Sequence, residues 1–286
     1  MQSTEMNELM SLENRDSSEV DVESSRRQKP LDPGLYVCPT PIGNLEDITL
    51  RVLRVLRESD AIAAEDTRHT LKLLNHYGIK KTLISYHEHN IRTRGPEIVA
   101  RIVGGEKIAL VSDAGMPGIS DPGADVIALC REAGVYVTVL PGPTASVTAL
   151  VASGLRTDRF LFEGFIDRKG QTRKARLEQL ALLDGSVILY ESPHRLLKTL
   201  EDLSGVLGDA PLVIARELTK RYEDVQKKNL SEWVEYYAHT TPKGELVLIF
   251  EGHAQAEIAV ELTDDRMFGL IKDGLPLKEI SKVLAT

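Results

Sequence analysis

From Leu35 to Leu140 short apolar runs alternate with longer stretches of mixed polarity. The runs Leu35 to Cys38, Ala61 to Ala64, Thr82 to Ser85, Ile108 to Ser112 and Tyr136 to Leu140 predict strands, with helical patterns between most of them. Ile48 to Glu58 repeats apolar residues at a period that fits one buried helical face, and Asp47 stands where its N-cap is expected. Such alternation predicts a mainly parallel sheet with helices on both faces. A helix ending at Ala152 is followed by a second α/β section, with strands near Phe160 to Gly164, Ser186 to Tyr190, Leu212 to Glu217 and Glu245 to Glu251. The expected organisation is a leader over 1–32, an N-terminal α/β domain over 33–152, a C-terminal α/β domain over 153–252 and a short helical tail over 253–286. In that tail Thr263 to Lys272 and Pro276 to Ala285 read as two helices around Asp273-Gly274.

Composition narrows the class. With 42% hydrophobic and 27% charged residues the chain has ordinary globular balance. No apolar run approaches the ~20 residues of a spanning helix, and the basic-then-apolar layout of a signal peptide is missing, so a cytoplasmic protein is expected. Cys38 and Cys130 fall in a predicted strand and a predicted helix and read as core residues; neither belongs to a CxxC pair. The net charge of −8 argues against a general nucleic-acid binder, but residues 1 to 32 hold eight acids against four bases, which accounts for half of it. That leader, rich in Ser and Glu and free of aromatics, is expected to be disordered.

The segment Val111 to Gly123, VSDAGMPGISDPG, carries three glycines and two prolines just after an apolar run. In an open α/β sheet that is where ligands lie, beyond the carboxyl ends of strands. Its glycines allow sharp turns and close approach, while Asp121 and Pro122 suit the N-cap and first turn of a helix over Gly123 to Ala133. A well-capped strand-to-helix turn would use the same residues without any ligand.

Polar clusters fall at other strand ends: EDTRH (Glu65 to His69), SYHEHN (Ser85 to Asn90), YESPHR (Tyr190 to Arg195) and ARELTK (Ala215 to Lys220). Glu65 with Arg68, and Glu191 with Arg195, are spaced for local ion pairs. His87 and His89 share one face of an extended segment but lack a third partner, so no metal is expected. No GxxxxGK[ST], GxGxxG after a strand, or GxSxG occurs, which removes the usual support for phosphoryl transfer, dinucleotide binding and acyl transfer. DRKGQTRKAR at Asp167 to Arg176 brings Arg168, Lys169, Arg173, Lys174 and Arg176 together with no acid between Arg168 and Arg176. Such a cluster fits phosphate contacts to RNA, although charge runs more often form solvated helix faces.

Taken together, TPIGNLEDIT (Thr40 to Thr49), AAEDTRHT (Ala63 to Thr70), SYHEHN, VSDAGMPGISDPG, LPGPTA (Leu140 to Ala145), FLFEGF (Phe160 to Phe165), YESPHR and ARELTK resemble the bacterial 16S ribosomal RNA (cytidine-2′-O)-methyltransferases. These form a branch of the tetrapyrrole methylase-like superfamily. The likeness spans roughly Leu35 to Gly252. It implies two α/β domains, S-adenosylmethionine held in the cleft between them, a homodimer, and small-subunit ribosomal RNA as the partner, with neither DNA nor membrane. By position it assigns to the cofactor Pro41, Ile42, Gly43 and Asn44, then Asp113, Ala114 and Gly115, then Pro141, Gly142, Pro143, Thr144 and Ala145. TPIGNLED stands where tetrapyrrole enzymes carry a GxGxGD-like loop, which disfavours a porphyrinoid substrate. The alternatives are a porphyrinoid C- or N-methyltransferase and a ribosome-binding factor without turnover.

Methyl transfer to a ribose hydroxyl requires alignment above all, and a way to lose the proton. The candidates are Glu65, Asp66, Arg68, Glu217 and Lys220, an acid of one cluster paired with a cation that steadies the alkoxide.

Overall fold

The computed structural model describes residues 29–252. The leader up to Gln28 and the two expected tail helices lie outside the described residues. The described residues divide into two compact units: one takes 29–38, 49–113 and 122–140, and the other takes 39–48, 114–121 and 141–252.

In the first unit β1 (Gly34–Val37), β2 (Ala61–Ala64), β3 (Thr82–Ser85), β4 (Lys107–Val111) and β5 (Val137–Val139) form a sheet in the order β3-β2-β4-β1-β5. Every pairing is parallel. β1, β2 and most of β4 are buried, which is why they read as near-continuous apolar runs. Helices α1 (Leu50–Glu58), α2 (Thr67–His76), α3 (Ile91–Val103) and α4 (Ala124–Glu132) lie between the strands in the chain.

Two expected caps are corrected. Thr49 caps α1, its hydroxyl accepting from the Val52 N–H at 3.1 Å, because Leu45–Asp47 form a separate 3₁₀ turn capped by Asn44. Gly123, and not Asp121, occupies the N-cap position of α4, without a side-chain hydrogen bond.

The second unit is built on β6 (Phe160–Gly164), β7 (Ser186–Glu191), β8 (Pro211–Arg216), β9 (Asp224–Asn229) and β10 (Leu246–Glu251), in the order β6-β7-β10-β8-β9. β6 runs parallel to β7, while β10 is antiparallel to β7 and β8, and β9 to β8. Strand periodicity sorts the two faces. Ile188, Val213, Ala215, Val247 and Ile249 pack with Ala149 and Leu150 of α5 (Ala145–Ser153). Their alternates Val187, Leu189, Leu212, Ile214, Leu248 and Phe250 pack with α6 (Gln171–Ala181), α7 (Leu196–Leu207) and α8 (Leu230–His239). Thus α5, expected with the first domain, packs on the second sheet.

Candidate functional site

A cavity of about 350 Å³ lies wholly within the second unit. Its wall on the sheet side is the α5 face near the ends of three strands: Tyr190 of β7, Ala215 of β8 and Val247 of β10. The rest comes from Ile42, from residues 114–116 and 119–121, and from Thr144 and Ala145 at the start of α5. The glycine-rich loop holds its shape through left-handed backbone at Gly115 (φ 79°), Gly118 (φ 85°) and Ser120 (φ 59°). It is pinned to the PIGN segment by paired backbone bonds, Thr40 N–H to Gly115 O and Gly115 N–H to Thr40 O, both 2.9 Å. Ile42 and Gly115 therefore line one cavity because the two loops are stitched together at Gly115 itself and at Thr40, two residues before Ile42.

The expected cofactor residues divide. Ile42, Ala114, Gly115, Thr144 and Ala145 line the cavity; Pro41, Gly43, Asn44, Pro141, Gly142 and Pro143 are not among its lining residues. Gly43 has another task. A β-carbon there would overlap the Lys220 side chain and stand 2.8 Å from Thr219 Oγ1, and Thr219 Oγ1 accepts from the Asn44 N–H at 3.1 Å. Asp113 belongs to the first unit, where its carboxylate accepts from the Asp66 N–H at 3.1 Å. Phe165 and Glu245, which the sequence does not single out, also stand on the cavity wall, as does Tyr190. Tyr190, hydrogen-bonded to Ser146, stands within the YESPHR motif and was the one with a local signal.

Two acid–cation groups form. Arg68 pairs with Asp66 at 2.9 Å. That side-chain hydrogen bond holds Asp66 down at about 2. In the second unit Lys220 Nζ lies 2.8 Å from Glu217 Oε1 and 3.2 Å from Glu245 Oε2. Lys220 lowers the Glu217 carboxyl below its ordinary value, against the effect of burial. Burial pulls Lys220 down, but its hydrogen bonds to the two glutamates outweigh that and leave it raised. The clamp holds a strained turn, with positive φ at Glu217 (52°) and Thr219 (64°).

Glu191 lines the cavity yet is 3% exposed. Its carboxylate accepts from the Ser192 N–H at 2.8 Å and from the Thr199 hydroxyl at 2.5 Å, and pairs with Arg195 at 3.2 Å, the pairing expected from their spacing. Thr199 Oγ1 in turn accepts from Arg173 Nη2 at 2.9 Å, and Arg173 Nε donates to Asp202 at 2.8 Å. This corrects the basic cluster. Arg173 is 7% exposed and its guanidinium is consumed by the network, so it cannot meet a phosphate. Arg176 is held by Glu163 at 2.6 Å, and Lys174 lies 3.8 Å from Glu178. Arg168 and Lys169 are exposed and make no ion pair among the described residues.

The model of the tetrapyrrole (corrin/porphyrin) methylases matches residues 34–234. The chain is 47% identical over 255 residues to the ribosomal RNA small subunit methyltransferase I of Synechocystis sp., covering 88% of this chain and 91% of that one. Against the same-named protein of Escherichia coli O157:H7 it is 46% identical, with 88% and 89% covered. Among solved structures it is similar to diphthine synthase, with a TM-score of 0.61, 16% identity, and 76% and 89% of the chains covered. A cobalt precorrin-4 methyltransferase gives 0.55, 19%, 75% and 93%. These two bear on the fold alone.

Proposed function

The chain belongs to the tetrapyrrole (corrin/porphyrin) methylase family and takes S-adenosylmethionine as methyl donor; from that premise we propose that it methylates the ribose 2′-oxygen of a cytidine in small-subunit (16S) ribosomal RNA. The observation that carries the RNA substrate is its likeness, at 47% identity over 88% of the chain, to a ribosomal RNA small subunit methyltransferase I.

The cavity supports the cofactor. Its apolar wall suits an adenine ring, and the start of α5, where Thr144 makes no side-chain cap, leaves helix N–H groups suited to a carboxylate. Glu245 adds negative charge for a cationic centre. When bound, S-adenosylmethionine supplies an electrophilic methyl group. Pro41, Gly43, Asn44, Asp113, Pro141, Gly142 and Pro143 support the cavity loops in this reading and do not contact the cofactor from its wall.

Oxygen as the acceptor is supported by the cysteines. Cys38 and Cys130 are buried, burial pushing the first thiol strongly up and the second up to about 11. Neither suits attack on a pyrimidine ring, whereas a hydroxyl acceptor needs alignment and no thiolate. We assign Lys220, kept charged by Glu217 and Glu245 beside the cavity, to steadying the developing alkoxide. Glu217 and Asp66, both held below the ordinary carboxylate range, are poor proton acceptors, so the hydroxyl proton would pass to solvent water as the C–O bond forms and the methyl group's bond to sulfur breaks. Asp66 and Arg68 form the second acid–cation pair, on the first unit, with Glu65 adjacent in the chain. Arg168, Lys169 and Lys174 are the phosphate contacts. We also read the enzyme as cytoplasmic and as a homodimer; exposed Val147 and Val151, one turn apart on α5, support the dimer. The test is methyl acceptance by small subunits, free 16S RNA and a porphyrinoid offered in parallel; transfer to the porphyrinoid alone would overturn the reading.

A further inference from the structure

Phe165 directly follows β6, lines the cavity and leaves 56% of its surface in solvent. Burying this apolar ring would stabilise the protein, so folding alone does not explain its position. The ring meets Tyr190 at an incline, centroids 5.7 Å apart, and Tyr190 is braced by Phe162 at 4.8 Å. Most of the Phe165 ring is thus open beside the methyl-donor cavity.

The segment after it is held from beneath. Arg195 Nη2 donates to Ile166 O, and Arg173 Nη1 donates to Asp167 O at 2.9 Å. Both guanidiniums belong to the buried network that ends on Glu191 at the cavity wall. Ile166 is buried while Phe165, Arg168 and Lys169 point outward. Buried Arg173 and partly buried Arg195 therefore fix a loop that offers one aromatic ring and two cations within five residues.

A-form stems display their 2′-hydroxyls in a shallow minor groove, whereas single-stranded segments leave their bases unstacked and open to side chains. An unstacked base loses its neighbours, and exposed aromatic rings replace them in single-strand recognition. We propose that Phe165 is the stacking platform for an unpaired base of the RNA substrate, with Arg168 and Lys169 on the flanking phosphates and Arg173 and Arg195 as positioning residues beneath. This inference rests on the ribosomal RNA reading.

The test compares full-length wild type with Phe165→Ala, Phe165→Leu and Phe165→Trp, using labelled S-adenosylmethionine and small subunits lacking the modification. KM for subunits should rise roughly five- to 150-fold in the alanine and leucine variants and return toward wild type with tryptophan. Melting temperature should stay at the wild-type value, and any loss of cofactor affinity from trimming this wall residue, read by calorimetry, should be much smaller than the rise in KM for subunits. A leucine variant as good as wild type, or cofactor affinity falling in step with KM, would overturn the platform alone. Wild-type protein that binds cofactor but labels no subunits would overturn the RNA reading and the platform with it.

Discussion

Gly43 and Lys220 are in such close apposition that a β-carbon on residue 43 would overlap the lysine side chain. The ammonium at the end of that side chain is fixed by Glu217 and Glu245, so it cannot simply swing away. Gly43→Ala should therefore destabilise the second unit by about 1–3 kcal/mol, the usual cost of overpacking. Thermal unfolding checks it. A double variant with Lys220→Ala should recover part of the loss; equal melting temperatures for wild type and Gly43→Ala would show that the two segments move apart freely.

Gly115 differs, because it lines the cavity and has a φ of 79°. Its missing β-carbon would stand 3.4 Å from Ile42 Cγ2, and a branched side chain would extend further. Gly115→Val should lose cofactor binding by at least tenfold in calorimetry while the protein stays folded, at a backbone cost of about 1–3 kcal/mol. Wild-type affinity in a folded variant would remove this loop from the site.

The Glu217–Lys220 clamp carries a pH signature. Glu217 titrates below its ordinary 4.5, so its stabilisation is complete above that value and fades as pH falls through the lower folded value. Lys220 titrates above its ordinary 10.5, so its share is complete below that value and fades as pH rises through the higher folded one. The melting-temperature gap between wild type and Glu217→Gln should thus be flat from about pH 6 to pH 9 and close as pH falls below 4. A gap that persists into acid would mean that the carboxylate charge is not what matters.

The basic segment should split into two behaviours. Arg173→Met leaves Asp202 with Lys198 as its cation and takes the buried donor from Thr199 Oγ1 and Asp167 O, and it should cost about 1–3 kcal/mol of stability. Arg168→Ser with Lys169→Ser should leave unfolding unchanged but weaken binding to small subunits, and the salt slope should shrink by about 1.4 if two single-strand phosphates are lost. An unchanged slope would return both side chains to an ordinary solvated surface.

These contrasts mark where the sequence was readable. The first sheet was legible because buried parallel strands such as AIAA and IALV are unbroken apolar runs. β9 was not: DVQKKN is an edge strand with Val225 as its one apolar residue, and its lysines suit an unpaired edge. Glu191 with Arg195 was legible at helical spacing. Arg173 could not be told from Arg168, since its partner Asp202 lies 29 residues away on another helix. The exposure of Phe165 likewise has no mark in FLFEGF, where three phenylalanines look alike and tertiary packing sorts them.

The central claim, a methyl group placed on a ribose oxygen, is tested most directly by locating it. Pure protein, methyl-labelled S-adenosylmethionine and small ribosomal subunits from a strain lacking the modification would be incubated, and the RNA then hydrolysed in alkali. A 2′-O-methyl group blocks cleavage at its own phosphodiester, so the account predicts label in an alkali-resistant dinucleotide that begins with cytidine. Label recovered in mononucleotides, on the base, would contradict it.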